Sequence, residues 1–398
     1  MINASEALNI ILDSVHPLEK VSAGLELSCG SVLGEDIVAA GDIPPFDNAA
    51  MDGFAVRSED IRKIPVELTV AGEIAAGSVP VKPLAPHETM SVMTGAKIPA
   101  GCDIVIQQEW TERTSEGRVT ILRSADSGHN IRRAGSDIRA GGTVFTPGTF
   151  LRPQEIGVLA SLGKRFVVIH RKPSIAILTT GNEVVEIDKP LPDGKIRNSN
   201  AYVLSALVRQ LGCEARSLGI AADEKSDLLV RIKDGLRADV LITTGGVSVG
   251  KYDLVMDALK ETGVEIKFWK VNIKPGMPLL FGLHGDKPVF GLPGNPVSAM
   301  VTFLQFVKPA LMRLMGQKKY TPPLRLHAKL QEEITKSDGK RHFVRGVLVN
   351  ANGSIGVRTT GSQVSNILTS LSRADCLIIL PEDRNQFKAG EEVEVELL

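Results

Sequence analysis

The chain has 398 residues, more than one hydrophobic core usually organises, so about two to four domains are expected. Lys plus Arg and Asp plus Glu both number 46, so no net field recruits nucleic acid or an anionic membrane, and any anion site has to be a local cluster. Aromatic residues make up only 4%, too few for a base-stacking surface, and Cys29, Cys102, Cys213 and Cys376 lie far apart, which excludes a zinc ribbon and a disulfide framework.

The first residues carry Glu6, Asp13 and Glu19 rather than a basic-then-apolar leader, and no apolar run reaches membrane-spanning length. A cytoplasmic chain with reduced thiols and no membrane partner is expected. Leu8, Ile11, Leu12 and Val15 recur at helical spacing, with Ser5 as N-cap and Pro17 as stop, which predicts a docking helix without chemistry. From Ile43 to Val56, two prolines, Asp47-Asn48 and Asp52-Gly53 predict an irregular loop. There Asp52 either coordinates a cation or orients a substrate, or else joins Asp47 and Asn48 in satisfying turn backbone groups. Short alternating runs at Val66–Val70, Asp103–Gln107 and Arg118–Leu122 predict a small β-domain. Within it Thr94, before Gly95, offers a hydroxyl to a substrate or serves a turn. The segment from Asn130 to Gly142 gathers Arg132, Arg133, Asp137 and Arg139. Guanidinium groups suit phosphate or an oxyanion, and a solvated turn is the plainer alternative. A helix from Leu151 to Leu162 then leads into a strand at Phe166.

From Ser174 to Gly316, buried-strand runs at Ile175–Leu178, Ala215–Ile220, Val240–Ile242 and Val264–Phe268 alternate with helical patterns at Asn200–Leu211, Lys225–Gly235 and Tyr252–Thr262. That alternation predicts parallel strands with helices on both faces. Three strand ends carry similar turns: Thr180-Gly181-Asn182-Glu183, Thr244-Gly245-Gly246, and Gly291-Leu292-Pro293-Gly294-Asn295-Pro296. Glycine lets backbone N–H groups approach a phosphate, and a following helix N-terminus favours negative charge. Asn295 is a ready N-cap with Pro296 at the first helical position. Nearby lie Glu183, Asp223 and Asp253 as carboxylates and Lys270 and Lys274 as cations, a combination suited to Mg²⁺ and an anionic ligand. Ordinary surface charge is the alternative. Beyond the linker Pro322-Pro323, strands at Leu324–Leu330, His342–Val349, Ser354–Val357, Cys376–Leu380 and Val393–Leu397 predict a small β-barrel or sandwich. It carries little evident chemistry apart from Gly361-Ser362-Gln363-Val364-Ser365, whose hydroxyls could reach a neighbouring site.

Taken in order, Pro45-Phe-Asp-Asn-Ala-Ala-Met-Asp-Gly-Phe-Ala55, Met93-Thr-Gly-Ala96, Thr180-Gly-Asn-Glu183, Thr244-Gly-Gly-Val-Ser-Val-Gly250, Lys274-Pro-Gly-Met-Pro278 and Gly291-Leu-Pro-Gly-Asn-Pro-Val-Ser-Ala299 resemble the molybdopterin molybdenumtransferase family, also called the MoeA / gephyrin E-domain family. The resemblance implies a multidomain α/β plus β fold. Its parts are a discontinuous N-terminal domain (1–45 and 140–172), a β-domain (46–139), a three-layer α/β molybdopterin-binding domain (173–318) and a C-terminal β-barrel (322–398). It implies a homodimer with a cleft in which Asp52, Thr94 and Asp137 face Glu183, Asp223 and Asp253. The implied reaction ligates molybdate to adenylylated molybdopterin and releases AMP with Mg²⁺. The residues implied as catalytic are Asp52, Thr94, Asp137, Glu183 and Asp253, with Glu183 and Asp253 on the metal. Substrate falls to Arg132, Asp223, Gly245, Gly246, Ser248, Lys270, Lys274, Pro293 and Pro296. A molybdopterin adenylyltransferase and acceptor apo-molybdoenzymes are the implied partners, and nucleic acid is not one. Ala49 stands where the family commonly has Ser, Met277 where Lys is frequent, and Lys251 where an acid is often found. The α/β domain alone also resembles the adenylyltransferases, and a gephyrin-like scaffold is the non-enzymatic alternative.

Overall fold

The structure, a computed structural model, describes residues 1–114, 117–246, 254–318, 323–351 and 353–398. Runs of aliphatic and β-branched residues too continuous for half-exposed strands build its α/β sheet. Strands β1 (Ser174–Thr180), β2 (Glu214–Ala221), β3 (Val240–Thr244), β4 (Glu265–Trp269), β5 (Leu280–His284) and β6 (Lys287–Leu292) stand in the order β2-β1-β3-β6-β5-β4. All of β3 and all but the first residue of β1 are buried. Because side chains alternate faces, Ile175 and Ile177 point to one layer and Ala176 and Leu178 to the other. Helix α1 (Ser199–Gln210) covers the first face through Leu204 and Val208. Helices α2 (Lys225–Gly235) and α3 (Leu254–Glu261) cover the second through Leu228, Ile232, Val255 and Leu259. The domain is thus three-layered.

Two features correct the sequence reading. Strands β1, β2, β3 and β6 run parallel to one another, but β5 runs antiparallel to both of its neighbours, β6 and β4, so alternation did not make every strand parallel. The unpredicted β5 reaches β6 through Gly285-Asp286, where Gly285 takes the positive φ of 59° that tight hairpins assign to glycine. The helix Pro296–Leu314 is long and apolar enough to cross a membrane by length and composition, contrary to expectation. It is 67% buried inside the protein, however, with Phe303, Phe306 and Leu311 in one core with Ile11 of the N-terminal helix Ala4–Ser14 and with Val15 just after it. That first helix is capped by Asn3, which accepts Glu6 N–H at 2.8 Å, and the expected cap Ser5 lies inside it.

Strands β7 (Arg325–Leu330), β8 (Arg341–Ala351), β9 (Ser354–Thr359), β10 (Cys376–Leu380) and β11 (Glu392–Leu397) run β8-β9-β7-β11-β10, and β10 pairs back onto β8. The result is a closed five-stranded barrel, which leaves no free edge among these strands. Ile273 and Lys274, from the α/β domain, pair alongside Arg341 and His342 of β8. The chain divides into two compact units, one of Met1–Gly34, Gly148–Arg152 and Val167–Leu398, the other of Glu35–Pro147 and Pro153–Phe166. In the second unit a six-stranded sheet orders Ile104–Gln107, Gly53–Val56, Glu88–Val92, Val66–Ile74, Arg118–Ile121 and Thr111–Arg113. Gly53–Val56, expected as irregular loop, is a fully buried inner strand.

Arg171 grips Asp239 through Nη1–Oδ2 at 2.8 Å and Nη2–Oδ1 at 2.9 Å, and Asp239 also accepts Ser174 N–H and Oγ–H, both at 2.7 Å. Burial opposes ionisation of Asp239, but the Arg171 and Ser174 hydrogen bonds outweigh it and hold the carboxyl well below its usual range. A depressed folded pKa stabilises the fold above the unfolded value and loses that contribution as pH falls through about 4 and below. Asp239→Asn is expected to cost about 1–2 kcal/mol at pH 7, after allowing for solvent access at Arg171, and much less at pH 3. Urea midpoints at the two pH values check this; an equal loss at both would remove Asp239 as the cause.

Candidate functional site

The chain leaves β1 for β2 on one side and returns to β3 on the other, so the loops after β1 and β3 part and open a crevice at the carboxyl ends of the strands. Glycine is required there. Gly245 has φ 94°, and a Cβ on it would lie 2.4 Å from Thr180 O. Gly246 has φ 66°, and a Cβ would meet Val255 Cγ2 at 2.4 Å. The two turns and the loop after β6 rim a cavity of about 660 Å³ lined by Thr180, Glu183, Asn198, Asn200, Gly245, Gly246, Pro293, Asn295 and Pro296. The first turn of α1 forms part of the wall. Asn198 caps the helix, its Oδ1 accepting Ala201 N–H at 3.3 Å and Thr179 Oγ–H at 3.0 Å. Asn200 donates to Thr244 Oγ1 and Gly294 O, both at 2.8 Å.

Glu183 is exposed at the rim, and among the described residues its carboxylate has no hydrogen bond or ion pair. Asp223 accepts Asn182 N–H at 3.0 Å while its own N–H donates to Asn182 Oδ1 at 3.1 Å, a reciprocal clamp between the loops after β1 and β2. Lys270, at φ 75°, carries its ammonium 3.9 Å from the Trp269 ring centre. Ser248 and Asp253 fall in 247–253, outside the described residues. Among the described residues no three His, Cys, Asp or Glu side chains cluster as a metal site.

A second cavity of about 620 Å³ shares Pro278, Pro293 and Asn295 with the first and adds Lys274, Lys340, Gln363 and Ser365. Lys274 Nζ lies 3.3 Å from Asp338 Oδ2, whose other oxygen is 2.7 Å from His342 Nε2. Burial opposes ionisation of Asp338, yet His342 and Lys274 draw it down to about 2. Met277 lines this cavity where the family frequently has Lys, so Lys274 and Lys340 are its lysines among the described residues. Of the Gly361 to Ser365 hydroxyls, Ser365 meets the site: its Oγ accepts from Asn295 Nδ2 at 2.9 Å. Asn295 still precedes the helix, but its side chain makes that bond instead of a cap.

In the second unit, Asp52 and Thr94 come together. Asp52 Oδ1 accepts Thr94 N–H at 2.6 Å and Oγ–H at 2.8 Å, and these bonds hold its carboxyl below the usual range. Asp47 is engaged by Arg133 at 2.6 Å and by Ala134 N–H at 2.8 Å, a long-range tie to the segment after Asn130 rather than a bond within its own turn. Arg132 is exposed opposite Asn48 in a short antiparallel pair, and Asp137 is exposed with its N–H donating to Ile43 O. Burial pushes the Cys102 and Cys213 thiols up to about 11 and Cys376 up to about 12, so none of these three supplies a thiolate near neutral pH.

Lys340, Asn198 and Asn200 were not singled out from the sequence. Two asparagines flanking Ser199, one more than a cap needs, were the available signal for the last two.

Comparison with known proteins bears on the whole length. Residues 2–163 match the MoeA N-terminal region (domain I and II), 176–313 a probable molybdopterin binding domain, and 327–398 the MoeA C-terminal region (domain IV). A molybdopterin molybdenumtransferase of Haemophilus influenzae is 36% identical, over 100% of this chain and 98% of that protein. One of Staphylococcus aureus is 35% identical, over 100% and 95%. The crystal structure of a molybdopterin biosynthesis MoeA protein from Pyrococcus horikoshii superposes with a TM-score of 0.85 at 33% identity, covering 100% of both chains. The chain belongs to the MoeA family of molybdopterin molybdenumtransferases.

Proposed function

We propose that this chain inserts molybdate into adenylylated molybdopterin and releases AMP in a Mg²⁺-dependent reaction. The observation that carries the reading is the pair of adjoining cavities: one floored by Gly245 and Gly246 at the strand switch point, the other lined by Lys274 and Lys340. The glycine turns at the strand ends, set beside the N-terminus of α1, suit a phosphate-bearing pterin. The two ammonium groups offset a tetrahedral dianion. Mg²⁺ commonly takes one or two carboxylates and completes its shell with phosphates and water. The Glu183 carboxylate, unpaired among the described residues, fits that mode and would hold the ion, with Asp253 as the second ligand implied by the motif. Bound there, the ion supplies charge compensation at the phosphoanhydride. Asp223 holds the loop carrying Glu183. Asp52 with Thr94, Asp137, Arg132 and Lys270 are assigned to the reaction on their motifs. A cytoplasmic homodimer, an adenylyltransferase as supplier and apo-molybdoenzymes as acceptors complete the reading, with the four-part domain division given above.

The test is AMP release from adenylylated molybdopterin with Mg²⁺, without oxyanion, with molybdate, and with tungstate. Release that depends on oxyanion supports the transferase. ATP-dependent formation of the adenylate would mark an adenylyltransferase, and tight binding without release a scaffold. Lys274→Gln is expected to raise the molybdate concentration for half-maximal release about tenfold, the loss of one charge-assisted contact. An unchanged molybdate dependence would take Lys274 out of the oxyanion site.

A further inference from the structure

The second residue of α1, Asn200, stands between two of the loops that shape the first cavity. One amide hydrogen goes to Thr244 Oγ1 at the end of β3 and the other to Gly294 O in the loop after β6. Both donors are spent, which fixes the amide orientation. Thr244 extends the tie by donating to Pro293 O at 3.1 Å, and Gly245 N–H donates to Leu292 O at 3.1 Å beside it. Asn200 is only 8% exposed, and its Oδ1 is buried with no hydrogen-bond partner among the described residues. An orphaned buried acceptor destabilises a fold, and a side chain chosen for stability alone would not leave one. The two loop contacts are what the amide provides in return.

We propose that Asn200 is a positioning residue: it holds the Gly245-Gly246 turn and the 293–296 loop at the separation the substrate requires. The inference rests on the reading of this cavity as the substrate site. It singles out the two donors. A carboxylate of the same shape has an acceptor where Gly294 O needs a donor, so aspartate is no substitute for asparagine here.

The experiment compares Asn200→Ala, Asn200→Asp, Thr244→Val and the double variant Asn200→Ala with Thr244→Val. Amide hydrogen exchange is followed in residues 243–246 and 292–296 of the ligand-free protein, and AMP release is measured against adenylylated molybdopterin concentration. Both Asn200 variants are expected to speed exchange in the two loops and raise KM about tenfold, with kcat within about twofold. The double variant should loosen the loops by less than the sum of the two single variants, because the Asn200–Thr244 bond is lost in both, while the Asn200–Gly294 and Thr244–Pro293 bonds are lost in one each. Should Asn200→Ala fold poorly, Thr244→Val alone is expected to loosen the 293–296 loop and raise KM to a smaller degree. Wild-type behaviour in Asn200→Asp overturns the proposal, since that variant keeps an acceptor and loses the donors. So does faster exchange without any rise in KM. If the wild-type protein releases no AMP, the reading of the cavity fails, and the exchange data alone decide whether Asn200 holds the two loops.

Discussion

Gly53→Ala is expected to cost more than about 4 kcal/mol and to disrupt the sheet of the second unit. Gly53 pairs with Gln107, and a Cβ built on it lies 2.0 Å from Ile106 O and 3.0 Å from Gln107 Cα. Those neighbours are backbone, so no side chain can turn aside. The strands must part by about an ångström, which breaks the ladder holding Phe54 against Ile106 in a close-packed core. Asp52 immediately precedes the strand, so its bonds to Thr94 go too. Gly72→Ala is the control: it sits in the same sheet, but its added Cβ would meet nothing within 4 Å. Urea unfolding of both variants checks the point. A Gly53→Ala midpoint matching that of Gly72→Ala would show that the strands separate at little cost.

The same residue shows where sequence reasoning stopped. Gly53-Phe54-Ala55-Val56 has four residues, a glycine and two prolines upstream, so local signals favour a loop. Tertiary pairing on both edges overrides them. The α/β strands were legible for the opposite reason: Ile175–Leu178 and Val240–Ile242 are short, continuous apolar runs closed by Thr-Thr-Gly, and that length with a flanking glycine turn favours a buried strand over a helix. Of the site, the glycine turns could be read because each is local. Lys340 could not, since it joins Lys274 only after the barrel closes and β8 pairs with Ile273 and Lys274, and for the same reason the sequence left open which hydroxyl of Gly361 to Ser365 meets Asn295. Asn200 was read only as part of a helix. Its partners Thr244 and Gly294 lie 44 and 94 residues away, beyond any spacing rule.

Glu183→Gln is expected to lower kcat for AMP release about 10²–10³-fold and to raise the Mg²⁺ requirement, while leaving stability unchanged. The separation follows from its surroundings. Its carboxylate is exposed and makes no bond within the described residues, so the fold loses nothing when the charge goes. It lies back over Gly181, where a Cβ would come 2.6 Å from its Oε2, so the glycine keeps room for it at the cavity rim. A carboxylate there, unpaired among the described residues, is available to a cation brought near a phosphoanhydride, and glutamine keeps the shape without the charge. Asp223→Asn is the contrast, because it alters an acceptor already spent on Asn182 N–H. It should disturb the loop after β1, loosening it in hydrogen exchange, with a smaller loss of kcat and little change in Mg²⁺ dependence. Titrating Mg²⁺ against AMP release in both variants tells them apart. If Glu183→Gln keeps the wild-type Mg²⁺ dependence while Asp223→Asn shifts it, the ion belongs with Asp223, and Glu183 is a bystander at the rim.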